Sequence, residues 1–204
     1  MTQNGVPSEA RISLGKRVRT MRKARGWTLA HVSKASGLAI STISKMERGE
    51  ISLTYDRFIR LARAMDLDVS DLFAPDAEPF APGSMVVTRR EDVKRHETEN
   101  YVYDMHAASL QSKHMTPMRG RIKAHDIAAF ASSIAHAGEE FVYLLNGELT
   151  VFLDGRDPVE LKKGESLYFD SGTGHAYVSA GAQDAEVLVV CWQPEVPPAD
   201  ESVE

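Results

Sequence analysis

Residues 36–49 read SGLAISTISKMERG, a turn that contains a glycine followed by a short amphipathic segment. The spacing predicts a helix over 40–48, because Ile43 and Met46 lie three residues apart and share one face. The other face carries hydroxyls and a cation: Ser41, Thr42, Ser44 and Lys45. Two helices joined by such a turn are typical of the helix-turn-helix motif, which places its second helix in the major groove of DNA. A solvated polar helix face would show the same spacing, so both interpretations stay open at this point.

Helical patterns continue on both sides of this segment, from residue 12 to residue 73. Upstream, an apolar stripe recurs at helical spacing and consists of Leu14, Val18 and Met21. Thr28 can cap a second helix, and Thr54 can open a fourth. A short fifth helix is predicted after Val69. Five short helices with tight turns predict a compact all-α domain.

Charge divides the chain into two unlike parts. The net charge is −5, yet residues 1–73 hold 13 Lys/Arg against 7 Asp/Glu, a balance of +6. Residues 74–204 hold 11 Lys/Arg against 22 Asp/Glu, a balance of −11. A basic front end on an acidic protein favours a polyanionic partner for that end alone.

The basic segment LGKRVRTMRKARGWTL, residues 14–29, and the segment at 36–49 resemble the xenobiotic-response-element (XRE) family of lambda-repressor-like regulators. The resemblance covers about residues 12–73 and implies binding to a double-stranded DNA operator. It implies that bases are faced by Ile40, Ser41, Ser44 and Lys45. Phosphates are then faced by Thr42 and by the basic first helix, including Arg19 and Arg22. Ala39 departs from the family, which has Ser or Thr as the cap of the recognition helix.

The pattern changes after residue 73. Residues 74–84, APDAEPFAPGS, contain three prolines and a glycine and predict a linker. Beyond it, short apolar runs alternate with turns, which predicts an all-β barrel or sandwich over 85–193. The predicted strands are 85–88, 101–105, 140–145, 148–153, 166–169 and 186–192. The chain is therefore predicted to be α+β with two domains, flanked by disordered ends at 1–11 and 194–204.

The spacing of motif residues in the second domain distinguishes between the possible β folds. Glu140 is followed by six residues and Gly147, and Gly164 precedes His175 by eleven positions. These spacings resemble the two signature motifs of the cupin superfamily over about residues 85–193. The resemblance implies a double-stranded β-helix barrel.

The cupin resemblance also implies a metal site made of His136, Glu140 and His175. Two histidines and one carboxylate suit a divalent iron, manganese, nickel or zinc ion. Ile134 stands where the motif has a further histidine, so the alternative is a barrel that binds an organic ligand without metal. Four other histidines lack a motif context and are predicted to lie at the surface: His96, His106, His114 and His125.

Three functions remain to be weighed. We favour a regulator whose cupin domain binds a small-molecule effector and which acts as a homodimer. The domain order and ligand positions also resemble the hydroxypropylphosphonate epoxidases, so the alternative is a mononuclear non-haem iron oxygenase. The resemblance to these epoxidases implies that Tyr103 lies at the ligand. The intact polar face of the predicted recognition helix favours the regulator, and we predict no enzymatic activity. A third hypothesis is that the barrel only dimerises the DNA-binding heads, with strand 187–192 in a shared sheet or merely in the core.

The composition of the sequence excludes several classes of protein. Hydrophobic residues make up 43% and charged residues 26%, as in ordinary globular proteins. No apolar run approaches the roughly 20 residues of a membrane span, and the N-terminus lacks the apolar middle of a signal peptide. The single cysteine, Cys191, excludes an internal disulfide and is predicted to be a small core residue. We therefore predict a cytoplasmic protein with no membrane partner.

Overall fold

The computed structural model of the chain describes residues 9–65, 78–192 and 194. The predicted fifth helix after Val69 lies outside the described residues, as do most of the predicted disordered ends. Among the residues that are described, no helix is both long and apolar enough to cross a membrane.

The described part of the N-terminal domain, residues 9–65, contains four helices: α1 (Glu9–Ala24), α2 (Leu29–Ser36), α3 (Ile40–Glu47) and α4 (Tyr55–Ala64). Helix α1 thus begins three residues before the predicted boundary. The Thr28 hydroxyl accepts a hydrogen bond from the His31 amide and caps α2. Gly37 ends α2 with a φ of +67°, a left-handed conformation that glycine adopts without strain. Ala39 precedes α3 and makes no side-chain cap.

Close contact between α1 and α3 fixes the orientation of the second helix of the motif. A Cβ atom at Gly15 would lie 2.3 Å from the Met46 carbonyl oxygen, so only glycine allows this approach. Arg22 on α1 donates to both carboxylate oxygens of Glu47 on α3, at 2.6 and 2.8 Å. The domain core lies between the helices and includes Val18, Val32, Leu38, Ile43, Met46, Leu53, Phe58, Ile59, Leu61, Ala62 and Met65.

Eleven strands follow in the described part of the chain. They are β1 (Glu78–Pro79), β2 (Lys94–Glu97), β3 (Tyr101–Met105), β4 (Leu110–Gln111), β5 (Met115–Ile122), β6 (Glu139–Asn146), β7 (Glu148–Leu153), β8 (Val159–Lys162), β9 (Ser166–Asp170), β10 (His175–Ser179) and β11 (Ala185–Trp192). Strand β1 pairs with β4, so the end of the predicted linker segment joins the second domain.

Two sheets enclose the core of the second domain. The larger sheet has the order β2-β3-β5-β11-β6-β9, and the smaller has the order β10-β7-β8. Alternate residues of each strand point into the shared core, as in β11, where the buried residues are Ala185, Val187, Val189 and Cys191. The predicted α+β architecture, a helical domain followed by a β-rich domain, is confirmed.

The outer edge of β10 is hydrogen-bonded by three separate groups. The backbones of His175 and Ile134 exchange two hydrogen bonds of 2.7 and 2.9 Å. The Tyr177 amide donates to the Tyr101 hydroxyl at 2.9 Å, which bridges the two sheets through a side chain. The Ser179 amide donates to the Ala124 carbonyl at 2.9 Å.

Several strands differ from the sequence-based expectation. Residues 85–88 were predicted as a strand but form none, whereas β1, β2, β4, β5, β8 and β10 were not predicted. Strand β5 contains Pro117 and Gly120, which disfavour strands. The structure requires that glycine, because a Cβ at Gly120 would lie 2.8 Å from Val187 and 3.3 Å from the Tyr103 ring.

The two domains contact each other at His96 on β2. Its Nε2 lies 2.7 Å from the Leu53 carbonyl oxygen, and its ring meets the Phe58 ring edge-on at 4.7 Å. The prediction that His96 lies at the surface is therefore wrong, since the residue is only 5% exposed. Burial lowers the pKa of His96 to about 4, against a smaller opposite effect of the Leu53 carbonyl.

Candidate functional site

Helix α3 presents the side chains that the sequence assigned to DNA. Its inner face holds Ile43 and Met46, both buried as predicted. Ser41 and Lys45 are exposed, and Thr42 and Ser44 are half-buried. Ile40 is 48% exposed at the first turn of the helix. An exposed β-branched side chain beside hydroxyls and a lysine suits a base edge, where a thymine methyl group offers an apolar contact.

Arg48, at the end of α3, is a residue that sequence reasoning missed. Its guanidinium donates to the Ser44 hydroxyl and to the Glu50 carboxylate. Arg48 is exposed and lies one turn beyond Ser44 on the same side of the helix. The side chain therefore holds the Ser44 hydroxyl in place, while its own charge is paired with Glu50.

The two arginines predicted to contact phosphate on α1 differ in location. Arg19 is exposed and can reach a phosphate. Arg22 is 8% exposed, is paired with Glu47 and also donates to the Trp27 carbonyl at 2.8 Å. The prediction that Arg22 contacts DNA is wrong, because its charge is already satisfied inside the domain. Its role is to join α1 to α3.

In the second domain, the three predicted metal ligands lie together. Nε2 of His136 lies 3.0 Å from Oε2 of Glu140, and Nε2 of His175 lies 3.6 Å from the same oxygen. All three residues are at most 6% exposed. Glu140 lies on β6 and His175 on β10, so the two sheets bring distant parts of the sequence to one point.

The protonation of this cluster follows from its surroundings. Nδ1 of His175 lies 2.9 Å from the Thr173 carbonyl, which can only accept, so the proton of a neutral His175 stays on Nδ1. Nε2 then directs a lone pair at Glu140. Burial would raise the pKa of the Glu140 carboxyl, but the His136 hydrogen bond, and the positive charge of each imidazole when it is protonated, keep it below its usual value. A carboxylate facing an imidazole lone pair fits a bound cation between them.

Tyrosines orient the carboxylate from the opposite side. The Tyr177 hydroxyl donates to Oε1 of Glu140. Burial and the Glu140 charge raise the pKa of Tyr177 well above its usual value, so the phenol remains a donor. Tyr101 and Tyr103 line the same cavity, and their rings lie 5.5 Å apart. The cavity has a volume of only about 10 Å³, the room that a single ion or water occupies.

Cys191 is the second residue that sequence reasoning missed. Its Sγ lies 3.4 Å from Oε2 of Glu140, and the two residues are direct partners across β11 and β6. Donor atoms of His136, Glu140 and Cys191 all lie within 4.8 Å of one another. Cys191 is buried in the core, as predicted, but its neighbours are metal-ligating groups. The pairing of β6 with β11 is the signal that locates it, and this pairing cannot be obtained from local sequence.

Comparison with known proteins agrees with both domains. Residues 13–73 match the model of a helix-turn-helix domain, and residues 127–191 match the model of a cupin domain. The HTH-type transcriptional regulator PuuR of Escherichia coli (strain K12) is 24% identical over 89% of this chain and 95% of its own length. The PuuR protein of Shigella flexneri gives the same values.

Two solved structures match most of the length of the chain. An HTH_3 family transcriptional regulator from Vibrio cholerae matches with a TM-score of 0.63 and 21% identity, over 93% of this chain and all of the other. Hydroxypropylphosphonic acid epoxidase from S. wedmorenis matches with a TM-score of 0.46 and 20% identity, over 89% and 98% of the two chains. The first likeness supports the fold, and the second is too distant to bear on function. The chain thus joins a helix-turn-helix domain to a cupin domain.

Proposed function

We propose that, in this helix-turn-helix transcriptional regulator, the cupin barrel binds a divalent metal and a small-molecule effector, and thereby changes the affinity for an operator. The observation that carries the proposal is the surface of α3. Ile40 and Lys45 are exposed on a short helix whose opposite face is fully buried. An exposed isoleucine beside hydroxyls and a lysine, on the second helix of the motif, suits contact with base edges in the major groove.

Operator binding is tested by titrating promoter DNA of the protein's own gene with the full chain at several salt concentrations. The double variant Ser41→Ala, Lys45→Ala should lose affinity by several kcal/mol at most, since a good base contact contributes about 1–3 kcal/mol. Lys163→Ala is the matched control, because this exposed lysine lies in the second domain and should change nothing. Salt-independent or absent binding by the wild type would contradict the proposal.

The metal is supported by the convergence of His136, Glu140 and His175 on one point. A bound divalent ion supplies a Lewis acid that can anchor an oxygen atom of an effector. The chain itself orients the ligands, through the Thr173 carbonyl at His175 and the Tyr177 hydroxyl at Glu140. We expect His136→Ala to abolish metal binding, measured by metal analysis after dialysis, and to leave operator binding of the first domain largely intact.

The effector must widen the cavity that the structure shows. A small ligand needs a pocket of roughly 300 Å³ or more, far above the volume of about 10 Å³ present here. Tyr103 and Ile134 line this cavity, and Ile134 lies on the segment that pairs with β10. We propose that effector binding displaces this wall, with Tyr103 at the ligand.

Strand pairing supports a mechanical connection between the effector cavity of the barrel and the DNA-binding domain. His96 on β2 is the direct partner of Tyr103 on β3, and His96 contacts Leu53 and Phe58 of the first domain. A displacement of Tyr103 therefore acts on a residue that is packed between the domains. The coupling requires that the effector bind the two arrangements with different affinity. Operator titration with and without candidate effectors measures it.

A homodimer is supported by the outer face of the larger sheet. Residues of β11 that point away from the core remain partly exposed, namely Leu188, Val190 and Trp192. Neighbouring strands add Phe141, Tyr143 and Tyr168 to this apolar surface, which a second copy would cover. Two copies match the paired half-sites of such operators. We expect Leu188→Lys with Val190→Lys to give a monomer in analytical ultracentrifugation.

The second candidate function is a non-haem iron oxygenase. The converging histidines and carboxylate favour it, because a two-His-one-carboxylate set with open positions is typical of such enzymes. The iron-loaded protein should then consume oxygen together with a small phosphonate or carboxylate. Oxygen uptake that is coupled to turnover, and lost in Glu140→Ala, would establish the enzyme in place of the regulator.

A further inference from the structure

The geometry points to Cys191 as a metal ligand through its thiolate sulfur, so that the site is a mixed nitrogen, oxygen and sulfur centre. This inference rests on the proposed metal binding and deepens it. The motif resemblance supplies only His136, Glu140 and His175. The structure adds a soft donor that lies at the same carboxylate oxygen as the two imidazoles.

Distances from Oε2 of Glu140 to the other three donor atoms are close to those expected around one ion. For bonds of about 2.0 Å to nitrogen or oxygen and about 2.3 Å to sulfur, tetrahedral geometry places a nitrogen and an oxygen about 3.3 Å apart. The same geometry places a sulfur and an oxygen about 3.5 Å apart. The observed distances from Oε2 of Glu140 are 3.0 Å to His136, 3.6 Å to His175 and 3.4 Å to Cys191.

The donor atoms of His136, Glu140 and Cys191 form a more compact set than those of the three motif residues His136, Glu140 and His175. Donor atoms of the compact set lie within 4.8 Å of one another, whereas His175 does not belong to this group. His175 approaches the site from β10 in the other sheet, while Glu140 and Cys191 are paired on neighbouring strands. The ladder between β6 and β11 therefore fixes the carboxylate and the sulfur relative to each other, and His175 completes the site from across the barrel.

Enclosure of the site supports coordination by the sulfur. Cys191 is 1% exposed, and the cavity that it shares with the other donors has the volume of about one ion. A thiolate is a soft ligand, so the site should prefer zinc, cobalt or ferrous iron to manganese or magnesium. Binding releases the thiol proton, because only the thiolate coordinates a metal.

The test uses the full-length chain, freed of metal with a chelator and titrated with cobalt(II) alone. A thiolate bound to cobalt gives an intense charge-transfer band in the near ultraviolet, and Cys191 is the only cysteine of the sequence. We expect one equivalent of this band in the wild type and none in Cys191→Ser. The variant should also bind zinc at least about 10-fold more weakly, since even partners outside the ligand set contribute 10- to 100-fold.

Controls separate this inference from the proposed function. Val189→Ala changes a neighbouring residue of the same strand and cavity, and should retain the band. Thermal unfolding without metal shows whether each variant is folded. The opposite result is cobalt binding that is seen in the visible bands without a charge-transfer band, and with equal affinity in Cys191→Ser. This result would refute Cys191 as a ligand but would leave the proposed metal binding intact. No cobalt or zinc binding by the wild type would refute both.

Discussion

Acidification from pH 7.5 to pH 5 is expected to destabilise the contact between the domains through His96. The pKa of this residue is lowered to about 4 by burial, whereas a histidine of the unfolded chain has a pKa of about 6.5. The unfolded state therefore binds more protons between these two values, and stability falls as the pH falls. The full difference of about 2.5 pKa units corresponds to about 3 kcal/mol, of which about 2 kcal/mol is lost at pH 5.

The matched variant is His96→Gln, whose amide can donate to the Leu53 carbonyl but does not titrate. Urea unfolding at pH 7.5 and pH 5, followed by circular dichroism, gives the free energy of unfolding of both proteins. Four charged neighbours are present in both proteins, so their contributions cancel in the comparison: Arg95, Glu97, Asp104 and Lys123. We expect the wild type to lose about 2 kcal/mol more than the variant. An equal loss in both would show that His96 does not carry the effect.

Three further outcomes are expected. Arg22→Ala leaves the buried Glu47 carboxylate without its partner and should lower the free energy of unfolding by about 3–5 kcal/mol, measured by urea unfolding; a loss below 1 kcal/mol would contradict this. Arg19→Ala should reduce the slope of log affinity against log salt by about 1 in operator titrations and leave stability unchanged. Gly15→Ala should weaken folding and operator binding together, because its Cβ meets the Met46 carbonyl oxygen; thermal unfolding and titration of the same samples check this.

Local sequence was sufficient for the inner faces of the helices in the first domain, because each apolar stripe lies within one helix. The stripe that includes Val18 and the inward pair Ile43 and Met46 are buried as predicted. Arg22 was misplaced because its contact joins two helices. A basic residue on a basic helix is predicted to be solvated, and its partner Glu47 lies 25 residues away. Spacing within one helix holds no information about that pair.

In the barrel, the three residues predicted as metal ligands lie close together, whereas only some of the strands around them were predicted. His136, Glu140 and His175 converge as the spacing implied. Cys191 was predicted only as a core residue, and His96 as a surface residue. Their roles were missed because their neighbours lie on another strand and in the other domain. Strand β5 was missed since its proline and glycine oppose strand formation, although the packing of Tyr103 requires the glycine.

The outward backbone groups of β10 already have hydrogen-bond partners, and this affects how copies of this protein can associate. An open edge offers free amides and carbonyls to any passing strand, which is the usual origin of aggregation and domain swapping. Here the three outward positions of β10 are occupied by Ile134, the Tyr101 hydroxyl and Ala124. A second molecule cannot extend the smaller sheet at that edge without first displacing these groups. Extension of the smaller sheet by a second copy is therefore disfavoured at the β10 edge.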